Sequence, residues 1–188
     1  MKGSVFNAFE AFVDSRLQGP SFDVVLDGAE LEFAGPHVGP GTYQDADLVA
    51  LVVRYAGLCR LQVPVVLAEF GRFLFGMLDR HAPAFARAFD EPIAFLESLE
   101  RTIHVEVRKL DSEAYVPTVL VERKRDGGIV LSYHAKRQLC ALAEGLMLGV
   151  ADHYDHDVEL THPVCMHDGH ERCLFNVRFT ARVPEVRR

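Results

Sequence analysis

"LERTIHVEVRKL", residues 99–110, is the point at which the chain changes its hydrophobic period. Before it, Phe95, Leu99 and Ile103 recur at helical spacing. That segment is predicted to start near Glu91 or Pro92, where a proline in the first helical turn loses nothing by lacking an N–H. After it, apolar residues alternate or run in short β-branched blocks bounded by turns. A helical first half therefore gives way to a sheet. The same stretch sets an ionisable imidazole, His104, between Ile103 and Val105. Glu106 is its nearest carboxylate along the chain, and Glu100 lies one helical turn back.

Toward the N-terminus, residues 3–16 carry Val5, Phe6, Phe9, Phe12 and Val13 as an amphipathic stripe ending near the turn "QGPS". The Gly- and Pro-rich loop "FAGPHVGPGTY" leads to Asp45, a plausible N-cap for a helix over Leu48, Leu51, Val52 and Tyr55 that stops at Gly57. "VVLAEFGRFLFGMLDRH" places Leu67, Phe70, Leu74 and Leu78 on one face and is apolar nearly all round, as a buried helix should be. Toward the C-terminus, "AYVPTVLVERK", "GGIVLSYHAKR", "HDVELTHPVCM" and "RCLFNVRFTARV" read as strands, with hairpin turns at "KRDGG" and "HDGHE". Between the second and third strands, "RQLCALAEGLMLGVADHY" reads as a helix. The expected class is α+β, with a four-stranded antiparallel sheet and one inserted helix.

Composition narrows the function. A chain of 188 residues suits one domain, or two subdomains sharing a core. With 27 acidic residues against 20 Lys and Arg, and no basic stripe with interleaved aromatics, nucleic acid is not an expected partner. "MKGSVFNAFEAFV" lacks the apolar core and cleavage site of a signal peptide, and "LVALVVRYAGLC" is broken by Arg54, so membrane insertion is not expected and the cytoplasm is the expected compartment. Cys59, Cys140, Cys165 and Cys173 are then reduced thiols, which favours metal binding or redox sensing over a disulfide framework.

Three groups of residues can carry chemistry. A histidine at the edge of an apolar face, such as His104, is by itself usually a core residue bonded to a backbone carbonyl. If "YHAKR" continues the strand before it, Tyr133, Ala135 and Arg137 project from one face. There a phenol and a guanidinium fork suit a pair of carboxylates, though a solvated strand end reads the same way. The third group is "HPVCMHDGHERC" with Cys140. Cys140, His162, Cys165 and Cys173 make a Cys3His set suited to tetrahedral zinc, while separate buried thiols remain the alternative. Zinc predicts an irregular or three-residue turn, and a bend at Pro163, because residues 162 and 165 face opposite ways on a straight strand. His156, His167 and His170 are spare candidates, otherwise exposed loop histidines.

The opening "MKGSVFN", the segment "TYQDADLVALV", "EFGRFLF", His104 followed by Pro117, and "SYHAKR" resemble, in order and spacing, the haem nitric oxide/oxygen-binding (H-NOX) domains. These are bacterial relatives of the haem domain of soluble guanylate cyclase. The resemblance runs over residues 1–188 and implies a single sensor domain. A helical N-terminal subdomain over about residues 1–60 packs on a haem-anchoring half over about 61–188, with haem b between them. It further implies His104 as the iron ligand, Tyr133 and Arg137 on the haem propionates, and Pro117 pressing on the macrocycle. Ala135 stands where the family usually has Ser, which removes a propionate hydrogen bond worth about 1 kcal/mol or somewhat more.

By the same resemblance, Val5, Phe9, Leu74 and Leu142 form the distal wall. In oxygen-binding members a tyrosine on the helix after the propionate motif steadies bound dioxygen. Here that helix offers Leu139, Leu142, Ala143, Leu146 and Met147, with no tyrosine before Tyr154. The expectation is a stand-alone sensor of nitric oxide, also binding CO, that excludes O2, is not an enzyme, and signals to a histidine kinase or a cyclic-di-GMP enzyme. Some family members carry a zinc-thiolate redox site, so a zinc-thiolate redox sensor is the alternative. A peroxidase ranks below both, because no distal His-Arg pair is evident.

Overall fold

The computed structural model describes residues 1–110 and 115–183. They form two compact units: Met1–Met77 with Ala141–Leu146, and residues 78–140 with those from 147 onward.

The first unit is helical. In α1 (Gly3–Asp14) the stripe read from the sequence buries Phe6, Phe9, Phe12 and Val13. Burying each phenylalanine contributes about 1.5–3 kcal/mol. Phe9 meets Phe70 edge-on at 5.1 Å between ring centres, and Phe9 and Phe12 meet Tyr55 at 6.2 and 5.9 Å, the edge-to-face geometry that aromatic quadrupoles prefer. After the short α2 (Phe22–Asp27), the glycine- and proline-rich loop is pinned by buried Asp47, which accepts the backbone N–H groups of Glu32 and Phe33 at 2.9 and 3.3 Å.

Helix α3 (Asp45–Cys59) differs at both ends from the sequence expectation. Asp45 is its first residue rather than its N-cap, and the helix passes Gly57 to end where Arg60 turns left-handed with φ 56°. Interior glycine costs only about 1 kcal/mol and so does not stop a packed helix. Helix α4 (Val63–His81) buries Val66, Phe70, Gly71, Leu74 and Phe75 on one side. Leu78, expected on the buried face, is 54% exposed, so α4 is amphipathic and not buried all round. Gly71 lies against residues 141–146: a Cβ there would strike the Leu142 carbonyl, and one at Gly145 would strike that of Ala68. Only glycine permits this backbone approach.

The second unit contains α5 (Pro83–Ala86), α6 (Pro92–Ser98), a π-helical turn (Leu99–Ile103) and α7 (His104–Leu110). Helix α8 (Cys140–His153) begins and ends in this unit and lends its middle to the first. The strands β1 (Thr118–Arg123), β2 (Ile129–His134), β3 (His156–Val164) and β4 (Cys173–Ala181) form the expected antiparallel sheet in the order β1-β2-β4-β3. The β1–β2 hairpin closes at Lys124–Gly128, with Gly127 at φ 83°. One rung runs across three strands: Val119 pairs with Tyr133, and Tyr133 with Cys173, all three buried. No single helix among the described residues is long and apolar enough to cross a membrane.

Candidate functional site

His104 is built by a change of helical pitch. α6 widens into the π turn over Leu99–Ile103 and resumes as α7 at His104, a local irregularity that often marks functional sites. The residue is 8% exposed. Burial lowers its pKa, opposed by the Glu100 carboxylate, so the ring is neutral near pH 7 and has a lone pair to offer a metal. Its Nδ1 lies 3.3 Å from Glu100 Oε2, while its Nε2 has no hydrogen-bond partner among the described residues. The tautomer that satisfies Glu100 carries its proton on Nδ1 and leaves Nε2 open.

Two carboxylates, Glu106 and Glu100, lie near His104 in sequence, and a bond from either to the ring makes the imidazole a stronger donor. Glu106 instead pairs with Lys109 at 2.7 Å, but Glu100 does reach it. Burial disfavours the Glu100 charge, yet the Val119 N–H at 3.1 Å, His104, and Arg108 at 3.3 Å together hold its carboxyl below the usual range. It is therefore a fixed anion beside the imidazole.

Tyr133 points to the buried side of β2 with Ile129 and Leu131. Burial, reinforced by the Cys140 thiol, pushes its phenol pKa up, so it is a neutral donor. Strand β2 ends at His134, so Arg137 does not share its face by strand alternation as the sequence suggested; residues 136–137 form a turn. Arg137 is instead placed by Tyr115. Its guanidinium stacks 4.7 Å from that ring and donates to the Tyr115 carbonyl at 3.3 Å, while the Tyr115 hydroxyl accepts the Lys136 N–H at 2.6 Å. Tyr115, 22 positions away, carried no sequence signal for this. Ala135 is buried between them, and Pro117 directly precedes β1.

In the first unit, Phe9 and Leu74 are buried, and Val5 and Leu142 are half-buried. Of the two tyrosines of this unit, Tyr43 accepts the Val38 N–H at 2.8 Å through its hydroxyl, and that of Tyr55 bonds Cys59. Tyr154, in the second unit, donates to the Ala86 carbonyl at 2.7 Å.

The cysteines converge as the spacing suggested. Ligand atoms of Cys140, His162, Cys165 and Cys173 all lie within 4.8 Å of one another. Cys140 and Cys173 sulfurs are 3.0 Å apart, and Cys165 is 4.0 Å from Cys140, against about 3.8 Å between thiolates on tetrahedral zinc. The turn is irregular, with a 3₁₀ segment (Met166–Asp168) and Gly169 at φ 89°. The β3–β4 register slips between Thr161 and Val164, the stretch that contains Pro163. That slip brings His162 and Cys165 to one side. The Met166 N–H points at Cys173 Sγ at 3.3 Å, a bond that favours a thiolate, while burial and the neighbouring sulfurs push the metal-free thiol pKa of Cys140 up. The donor set fits zinc. His167 and His156 are held by the Gln138 and Tyr154 carbonyls and stand outside it.

Comparison with known proteins identifies the family and the fold. No curated protein matches the sequence. Among solved structures, an H-NOX protein from S. oneidensis in the Fe(II)NO ligation state is 27% identical, with a TM-score of 0.88 over 96% of this chain and 99% of that one. An unliganded Fe(II) H-NOX protein from K. algicida is 25% identical, with a TM-score of 0.87 over 97% and 98%. The H-NOX from Shewanella woodyi, solved in the Fe(II)CO state, is 27% identical, with a TM-score of 0.79 over 100% and 97%. The model of the haem-NO-binding family matches residues 2–162, and the chain belongs to that family, the H-NOX haem-based gas sensors.

Proposed function

We propose that the chain is a nitric oxide sensor that holds ferrous haem through His104 and excludes O2. The observation that carries this reading is the buried, neutral His104 with its Nε2 open, in a member of the haem-NO-binding family. Haem bound there would supply an iron centre able to take a diatomic gas. Tyr133 and Arg137 grip the propionates as a neutral donor and a charged fork, the fork held by Tyr115. Pro117 bears on the macrocycle. Val5, Phe9, Leu74 and Leu142 would present hydrocarbon to the gas, and none of the four carries a donor for bound dioxygen. NO and CO bind without such help. His104 would be the chain's own link between bound haem and the helix that carries it, and a separate histidine kinase or cyclic-di-GMP enzyme would read the resulting change in surface.

Absorption spectra of the ferrous protein in argon, in air and under NO test this. The expected result is a haem band unmoved by air, shifted by NO, and dependent on added imidazole in His104→Gly. A stable oxygenated spectrum in air would overturn it.

The convergence of Cys140, His162, Cys165 and Cys173 favours a second input, in which bound zinc keeps the thiolates together and their oxidation releases it. Mild peroxide should then free one equivalent of zinc while NO binding persists. Metal content unchanged by peroxide would count against it.

A further inference from the structure

Glu100 lies four residues before His104 and so on the same side of the helix, and its carboxylate makes three contacts rather than one. Oε2 faces His104 Nδ1 at 3.3 Å and the Val119 N–H at 3.1 Å, and Oε1 faces Arg108 at 3.3 Å. The Glu100 side chain is 28% exposed and that of His104 11%, so the pair is screened less than a surface ion pair. The other acid near the ring in sequence, Glu106, is occupied by Lys109.

We propose that Glu100 is a positioning residue for the axial imidazole. It takes the Nδ1–H of His104, fixes the tautomer that leaves Nε2 open, and makes that nitrogen a stronger donor to iron than a histidine bonded to a neutral group. This rests on His104 being the iron ligand. The Val119 and Arg108 contacts hold the carboxylate still while it does so. A hydrogen bond to the distal nitrogen of a ligating imidazole gives the ring partial imidazolate character and raises its basicity. Glu100 would thereby set the strength of any bond from Nε2 to iron, and it ties that imidazole directly to the first residues of β1.

Two measurements on Glu100→Gln and Glu100→Leu test this. In the metal-free protein, nitrogen NMR of the His104 ring should show the Nδ1–H form in the natural chain and a shift toward the Nε2–H form in Glu100→Leu. In the ferrous haem protein, the iron–histidine stretch should fall in the order Glu, Gln, Leu.

A third measurement avoids dependence on the folding of either variant. In His104→Gly, imidazole should bind roughly tenfold more tightly than 1-methylimidazole, which has no N–H to give Glu100. That preference should vanish in His104→Gly/Glu100→Gln if charge is needed, or shrink if an acceptor suffices. A natural chain that takes up no haem overturns both this inference and the function proposed above. Haem held by His104, with the stretch and the imidazole preference unmoved by Glu100→Gln and Glu100→Leu, overturns the role of Glu100 alone and leaves the sensor reading intact.

Discussion

The second unit holds two donor groups of opposite design. His104 stands on a helix, one ring nitrogen held by an anion and the other open, so any metal it binds keeps positions for something else. Cys140, His162, Cys165 and Cys173 come from a helix start, two strands and a turn, and close on one another with four donors. An open set senses by adding a ligand. A closed set stabilises, and senses only by losing one. The contrast separates a reversible gas input from an oxidant input on physical grounds.

Cys173→Ala should break the contrast most severely. Loss of a buried thiolate from a four-donor site is expected to abolish zinc retention, read as metal content, and to cost several kcal/mol of stability. Haem spectra that stay natural in this variant would show the open set to be independent of the closed one.

Gly145→Ala comes next, at about 1–3 kcal/mol of stability by urea denaturation, because its Cβ would meet the Ala68 carbonyl. Zinc content should not change, since the cluster touches α8 only at Cys140. Tyr133→Phe is the smallest: losing one hydroxyl donor to a charged propionate costs about 1–2 kcal/mol, read as roughly 5- to 30-fold faster haem loss.

Most of the fold was legible because period is a local property. Phe6, Phe9 and Phe12 announce α1, and the β-branched blocks announce the four strands. The register of "HPVC" and "HDGHE" was legible as well: a bend at Pro163 was needed to unite His162 and Cys165, and the register slips there. What escaped was set by distant partners. Nothing near Arg137 points to Tyr115, and nothing in "LERTIH" separates a π turn from an α turn. The end of α3 at Arg60 and the exposure of Leu78 escaped for a related reason. Helix ends and the width of a buried face are fixed by what packs against them, not by the residue types within.

The rung Val119–Tyr133–Cys173 bears on how genetics of this protein is to be read. Its first member gives its N–H to the carboxylate beside His104, its second is the phenol proposed to grip a propionate, and its third is a thiol of the Cys3His group. Side chains in such contact do not mutate additively. Strains altered at Tyr133 or Cys173 will show epistasis between gas and oxidant phenotypes, and the wiring of the two inputs can be deduced only from double-mutant cycles, not from single alleles.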